Sequence, residues 1–328
     1  MNTSTLGLGI DAGGTRTSWA LADAAGRVLA KGSVAGLTAL MMGNDAGRVQ
    51  TAAALRELAR DALAAGPGTP ARVLAGFTGY SDAAPLRVRL EALIADAFGL
   101  PVERVRVVGD IALAYLDSFA PGEGFLVYAG TGSIAAYIDV NGQMHRVGGR
   151  GSLLDDGGSG YWIVREAMRH IWREEDERPG SWRDCALAVS VFGRIGGSEW
   201  ARSRDFFYQS TRGQIGELAL VVATAADRDA AAREILRQAG IELARLAQVL
   251  ARRFGARPVA VAGRVLQLHP AIEQSMRDAI GSTTPLRLVT LQAHDTAARL
   301  AARNDPMLQL LSDAEPSTIT ITTTRTPP

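Results

Sequence analysis

The sequence predicts an α/β protein of two domains. Three observations carry that prediction. At 328 residues the chain is long enough for two cores. Short buried strands alternate with stretches of helical spacing through the first 118 positions. A strand, glycine turn and second strand at the start return after residue 124, which points to an internal duplication.

Leu6 to Ile10 reads as a buried strand, followed by the tight turn Asp11-Ala12-Gly13-Gly14. Thr15 to Ala22 and Arg27 to Ser33 complete a three-stranded antiparallel meander. Val49 to Ala64 carries Leu55, Leu58 and Leu63 at helical spacing and ends before Gly66-Pro67-Gly68. Val73 to Phe77 is a strand, Leu86 to Phe98 a helix, Val105 to Val108 a strand, and Ile111 to Ser118 a helix. Past the Pro121 to Gly124 linker, Phe125 to Ala129 and Ser133 to Asp139 flank the turn Gly130-Thr131-Gly132. Thr15 to Gly26 and Thr131 to Gly142 span equal lengths, and each holds a strand closed by a turn. Helices are expected over Ser159 to Arg173, Ile215 to Ala226, Ala230 to Phe254 and His294 to Arg303, with strands at Pro258 to Ala262 and Leu286 to Leu291. The expected domains are 1–118 and 119–304, the last helix packing back on the first of them. Residues 305–328, rich in Thr and Pro, read as a disordered tail.

Composition narrows the function. Net charge is +1, so no basic field argues for nucleic acid or an acidic membrane surface. No segment approaches the apolar length of about 20 residues that a membrane span needs, and a cytoplasmic protein is the default expectation. Lys31 is the only lysine. Cys185 is the only cysteine, which rules out an internal disulfide or a cysteine-built cluster within one chain. His145, His170, His269 and His294 show no metal-ligand spacing.

In Asp11-Ala12-Gly13-Gly14-Thr15-Arg16-Thr17 the glycines let backbone N–H groups approach an anion, and Thr15 and Thr17 add hydroxyls. Asp11 can hold Mg²⁺ through water; an ordinary hairpin turn is the plain alternative. This is not a Walker-type loop, since the turn joins two strands and has no lysine. Gly130-Thr131-Gly132-Ser133 is a second such turn, and two opposed hairpins can clamp a triphosphate. Asp110, at a strand's carboxyl end, is placed to accept a hydroxyl proton during phosphoryl transfer, to cap the helix that follows, or both. Gly148 to Gly160 sets many glycines beside Asp155 and Asp156, either as a sugar-binding loop or as a flexible loop in which Ser159 caps the next helix. Gly263 either packs on an adenine face or starts a helix. Trp162, Trp172, Trp182 and Trp200 read as core or interface, and Arg245, Arg252 and Arg253 as a solvated helix face.

Together these stretches resemble the N-acetylglucosamine kinase branch of the BadF/BadG/BcrA/BcrD ATPase family, in the actin/hexokinase fold group. GIDAGGTRT is similar to its first phosphate motif, YAGTGS to its second, GDIALA to the segment bearing the catalytic aspartate, and VAGRV to its adenosine motif. GGRGSLLDDGGSGYWI resembles the amino-sugar loop, usually nearer GGWGxxxGDEGSGYWI. The resemblance implies two actin-like (ribonuclease H-like) domains, each a mixed sheet flanked by helices, with an interdomain cleft. It implies ATP and Mg²⁺ as cofactors, Asp110 as the base on a sugar 6-hydroxyl, and a hexose, an amino sugar by preference, as substrate. Thr15 and Thr131 would contact phosphates, Asp11 would serve Mg²⁺, and Gly263 and Ala225 would line the nucleotide. Asp156, Arg150, Gly151, Thr78 and Thr38 fall at sugar-contacting positions. Arg150 stands for the usual Trp, Asp155 for Gly, Gly157 for Glu and Thr38 for Asn, which puts the acetamido preference in doubt and favours a different polar or acidic substituent.

Two rivals remain at this stage. An activator of a 2-hydroxyacyl-CoA dehydratase needs two cysteines per chain for its cluster, and one is present. A non-catalytic sugar sensor on a kinase fold is compatible with the altered loop. The sequence leaves a homodimer open.

Overall fold

The computed structural model describes residues 5–80 and 84–308. The expected tail lies, from residue 309 on, outside the described residues. In chain order come β1 (Leu6–Ala12), β2 (Arg16–Asp23), β3 (Val28–Ala35), α1 (Asp45–Ala65), β4 (Arg72–Phe77), α2 (Ala84–Phe98), β5 (Val105–Gly109) and α3 (Asp110–Ser118). Next are β6 (Phe125–Ala129), β7 (Ser133–Ile138), β8 (Met144–Gly148), α4 (Gly160–Glu177), α5 (Ala186–Ile195), α6 (Trp200–Gln209), α7 (Arg212–Glu217) and α8 (Ala219–Ala225). The last are α9 (Ala230–Phe254), β9 (Val259–Ala262), α10 (Pro270–Ile280), β10 (Leu286–Leu288) and α11 (Ala293–Arg303).

These elements form two compact units, one of the described residues within 5–122, 138–145 and 291–308, the other of 123–137 and 146–290. Two mixed five-stranded sheets result, ordered β3-β2-β1-β4-β5 and β8-β7-β6-β9-β10. The same plan appears twice. In each sheet a central strand (β1 or β6) pairs antiparallel with the next strand and parallel with a later one.

In the first unit, β1 reads as an almost continuous buried run because both faces of the sheet are covered. Leu8, Ile10 and Ala12 point to one face and join a core with Leu55, Leu58, Leu90 and Ile94 of α1 and α2. Gly7 and Gly9 point to the other. A Cβ at Gly9 would strike the His294 carbonyl, and one at Gly7 the Ala298 carbonyl, so the missing side chains let α11 lie directly on β1. Lys31 Nζ reaches Asp295 Oδ2 at 2.9 Å, and Arg299 Nε donates to the Gly26 carbonyl at 3.0 Å, fixing α11 along its length.

In the second unit α9 packs on β6 and buries Leu236, Leu243 and Leu250. It starts where Asp229 accepts the Ala232 N–H at 3.0 Å and stops at Gly255, φ 83°. Trp172 and Trp182 ring Phe192 at 5.6 and 5.8 Å between centroids.

Several elements depart from expectation. The stretch expected as one helix over Ile215 to Ala226 is two, α7 and α8. A Thr211–Gln214 capping box starts α7, and Leu218 turns its N–H back to Ile215 and Gly216. The strand expected to Leu291 ends at Leu288. β8, α5, α6 and α10 were not foreseen.

Candidate active site

Parallel register sets Ala12 beside Phe77 and Phe77 beside Gly109. The residues that follow, Gly13, Thr78 and Asp110, therefore emerge together at the carboxyl edge of the first sheet, where open α/β sheets take ligands. The Thr78 N–H donates to the Ala12 carbonyl at 2.9 Å, and its carbonyl accepts the Ala39 N–H at 2.9 Å. Its hydroxyl donates to Asp110 Oδ2 at 2.6 Å, while Asp110 Oδ1 accepts the Ile111 N–H at 2.8 Å. Asp110 thus holds the first turn of α3 and keeps one oxygen on Thr78. Thr38 precedes Ala39, and its methyl lies 3.6 Å from the place a Cβ on Gly14 would take. Thr38, Thr78, Asp110 and the tip of the first hairpin form one cluster.

Asp11 lies on the face of β1 that carries Gly7 and Gly9. Burial pushes its carboxyl up to about 6, the charges of Asp110 and Asp117 push the same way, and Arg16 pulls it back. Sequence reasoning passed over Asp117, two turns along α3 from Asp110. It accepts the Gln292 N–H at 2.6 Å and the Thr296 hydroxyl, tying the start of α11 to α3. His294, beside it, is held below the usual imidazole range by burial, against the pull of Asp295.

Gly14 and Thr15 are exposed at the hairpin tip, with Gly13 half-buried. Thr17 is different. Its side chain is buried, and its hydroxyl accepts the Leu37 N–H at 3.0 Å, so it supports the loop that carries Thr38.

The second unit has its own constellation. The Gly130 carbonyl accepts the Gly160 N–H at 2.9 Å and the Thr131 carbonyl the Tyr161 N–H at 3.2 Å. The first turn of α4, whose N–H groups have no partner within the helix, is thereby bound to the hairpin. Ser133 is buried like Thr17, its hydroxyl donating to the Gly157 carbonyl at 2.7 Å. Gly263, at φ 98°, sits where a side chain would strike the Ala129 carbonyl, at the end of the hairpin's own strand. Ala225, the last residue of α8, is buried and gives its carbonyl to the Arg228 N–H.

Asp156 is buried and left-handed, at φ 56°. That conformation costs an L-residue about 1–2 kcal/mol. Its Oδ1 accepts the Gly151 N–H at 3.2 Å, and its Oδ2 lies 2.8 Å from the place a Cβ on Gly132 would take. Burial pushes the carboxyl above the usual range. The Gly151 N–H and Arg212 pull it back, and Asp155 adds to the push. The structure thus joins Gly132, Gly151 and Asp156 in one group. Arg150 is exposed next to them.

A Cβ at Gly157 would lie 2.8 Å from Glu242 Oε2 of α9, so a side chain at 157 would require the Glu242 carboxylate to move aside. The reading of Arg245 as part of a solvated face is corrected. Its Nε donates to Glu242 Oε2 at 2.8 Å, and its Nη2 lies 3.6 Å from Asp155 Oδ2, bracing the loop against α9. Spacing along the chain gives no sign of this contact, because α9 is brought to the loop only by the fold.

Among the described residues no cluster of three or more His, Cys, Asp or Glu side chains could hold a metal by itself. Mg²⁺ needs less, keeping several waters and taking one or two carboxylates with substrate phosphates. Asp11, raised by burial first and by the charges of Asp110 and Asp117 next, suits such an ion.

A sequence profile of the BadF/BadG/BcrA/BcrD ATPase family matches residues 8–286. An N-acetylmuramic acid/N-acetylglucosamine kinase of Clostridium acetobutylicum is 29% identical over 143 residues, 43% of this chain and 46% of the relative. The match thus spans about half the length of that relative. A Chromobacterium violaceum structure provisionally assigned as an N-acetylglucosamine kinase is similar with TM-score 0.71 and 23% identity, over 94% of this chain and 99% of that one. A ROK family glucokinase from Streptomyces griseus, solved with glucose and AMPPNP, gives TM-score 0.56 and 19% identity over 91% and 98%. At these identities the two structures establish the fold, an α/β arrangement of actin/hexokinase-like type.

Proposed function

The chain belongs to the BadF/BadG/BcrA/BcrD ATPase family, and from that premise we propose that it is an ATP-dependent kinase acting on the 6-hydroxyl of an amino sugar. The observation that carries the reading is the Asp11, Thr38, Thr78 and Asp110 cluster at the strand ends of the first unit, with Thr78 aligning Asp110 at 2.6 Å.

Asp110 is the base. One of its oxygens is committed to the Ile111 N–H and the other accepts the Thr78 hydroxyl, which fixes the carboxylate plane before the sugar arrives. It orients the 6-hydroxyl and takes its proton as the sugar oxygen bonds to the γ-phosphorus of ATP and the bond from that phosphorus to the departing ADP breaks. Thr38 and Thr78, with Arg150, Gly151 and Asp156, contact the sugar. Gly13, Gly14 and Thr15 and the turn Gly130 to Gly132 give the phosphates their backbone contacts, and Gly263 and Ala225 line the nucleoside. The buried hydroxyls of Thr17 and Ser133 set the shape of the two hairpins. Asp11 would hold Mg²⁺ through water, and the ion would supply charge neutralisation at the phosphates. Catalysis of this kind is chiefly positioning and charge stabilisation.

The exposed guanidinium of Arg150 suits an amino sugar bearing a carboxylate substituent, the chemistry named for the Clostridium relative. The test is ADP release measured over glucosamine, N-acetylglucosamine, N-acetylmuramic acid and glucose, with the product's phosphate position read by NMR. Turnover of an amino sugar to its 6-phosphate supports the proposal. Sugar binding without ADP release would replace it with a sensor.

A further inference from the structure

We propose that Arg212 is the cation of the second phosphate hairpin, its guanidinium contacting the nucleotide's phosphate chain beside Gly132. The assignment rests on the kinase reading above and names a residue that neither the motifs nor the spacing of the sequence pointed to.

A triphosphate brings several negative charges, and hairpin N–H groups supply only partial positive ones. Kinases commonly add a lysine. Here the chain's only lysine, Lys31, belongs to the first unit and holds Asp295 at 2.9 Å. The second hairpin must take its cation from arginine.

Arg212 is placed for that role by three contacts within the second unit. It is the first residue of α7, directly after Thr211, whose capping box with Gln214 fixes the start of the helix. α7 leans on the hairpin, a Cβ at Gly216 falling 3.4 Å from Thr131 Cγ2. The Arg212 Nη2 lies 3.2 Å from the place a Cβ on Gly132 would take. The absence of a side chain at Gly132 therefore opens the tip of the hairpin to a guanidinium.

Arg212 is also incompletely engaged. Its ion pair with Asp156 Oδ2 is 3.9 Å long, with Arg212 51% and Asp156 3% exposed. A guanidinium carries five N–H donors in a planar fork, and one long approach does not use them as a bidentate pair would. The half-exposed guanidinium therefore keeps donors for a ligand beside the half-buried turn Gly130 to Gly132. Arg212 also offsets the buried Asp156 carboxylate, which would otherwise repel phosphate from Gly132.

The test uses the full chain and compares wild type with R212Q, R212K, D156N and the double variant R212Q/D156N. AMPPNP binding in Mg²⁺ is measured by calorimetry, and steady-state kinetics vary ATP and sugar separately. Thermal unfolding checks that each variant folds, and R212K keeps the question open to measurement if R212Q does not. Losing a charge-assisted contact should weaken AMPPNP binding and raise KM for ATP by about 10- to 100-fold. KM for sugar should change little, R212K should recover part of the loss, and the effect should persist in the D156N background. AMPPNP affinity in R212Q within twofold of wild type would overturn the assignment. So would a rise confined to the sugar KM that disappears in the D156N background, which would make Arg212 a support for Asp156. Wild-type chain that binds no AMPPNP would overturn the kinase reading itself, and this assignment with it.

Discussion

The Thr78 hydroxyl donates to Asp110 Oδ2 at 2.6 Å, joining residues that follow the ends of two neighbouring parallel strands. Thr78→Val keeps the shape and removes the donor. We expect kcat/KM for sugar to fall by about 10- to 100-fold, the scale of a lost hydrogen bond to a charged group, while KM for ATP holds. Kinetics with each substrate varied in turn check this; a uniform loss in both would point to misfolding instead.

Asp110→Asn keeps acceptor and shape but cannot take a proton. The variant should fold, bind AMPPNP as wild type does, and lose about 10²- to 10⁴-fold in kcat. Turnover near the wild-type rate would remove Asp110 as the base.

The pH dependence of Asp11 has a definite sign. Its carboxyl titrates at about 6 in the fold against 3.8 ordinarily. The folded chain therefore keeps a proton that the unfolded chain has lost, and the stability this group supplies, complete below the lower value, is lost as pH rises through about 6. Nucleotide with Mg²⁺ runs the other way. It prefers the carboxylate, so affinity should fall as pH drops below about 6. Asp11→Asn should flatten both trends in thermal unfolding and calorimetry taken across pH 4 to 8.

Gly9→Ala puts a Cβ against the His294 carbonyl and the Ala298 backbone. Overpacking of this kind costs about 1–3 kcal/mol. The urea midpoint should drop while the slope of the transition stays constant. Gly43→Ala, whose Cβ would meet nothing within 4 Å, is the control.

The strands of both sheets were legible because short buried runs end in glycine turns, and α9 was legible to the residue because Asp229 and Gly255 mark its ends. β8 was not, since Met144–Gly148 is a half-buried edge strand without alternation. α6 mixes aromatics with arginines and buries Ser203 alone, while α5 and α10, at 10 and 11 residues, are too short to repeat an apolar stripe often. At the site, composition showed hydroxyls at Thr17 and Ser133 but not that both point inward, which depends on strand phase. Asp117, Glu242 and Arg212 escaped notice, and Arg245 reads from sequence as solvated, because each acts on a segment far along the chain. Arg212 had one sequence signal, the scarcity of lysine.

The face of β1 made by Gly7 and Gly9 has a consequence for synthesis. These residues leave the ribosome well before α11, which covers them and emerges only after some 280 intervening positions, including those of the second unit. The nascent amino-terminal sheet must wait with one side bare. A stop codon placed just before α11 would therefore injure the beginning of the protein more than its neighbouring end.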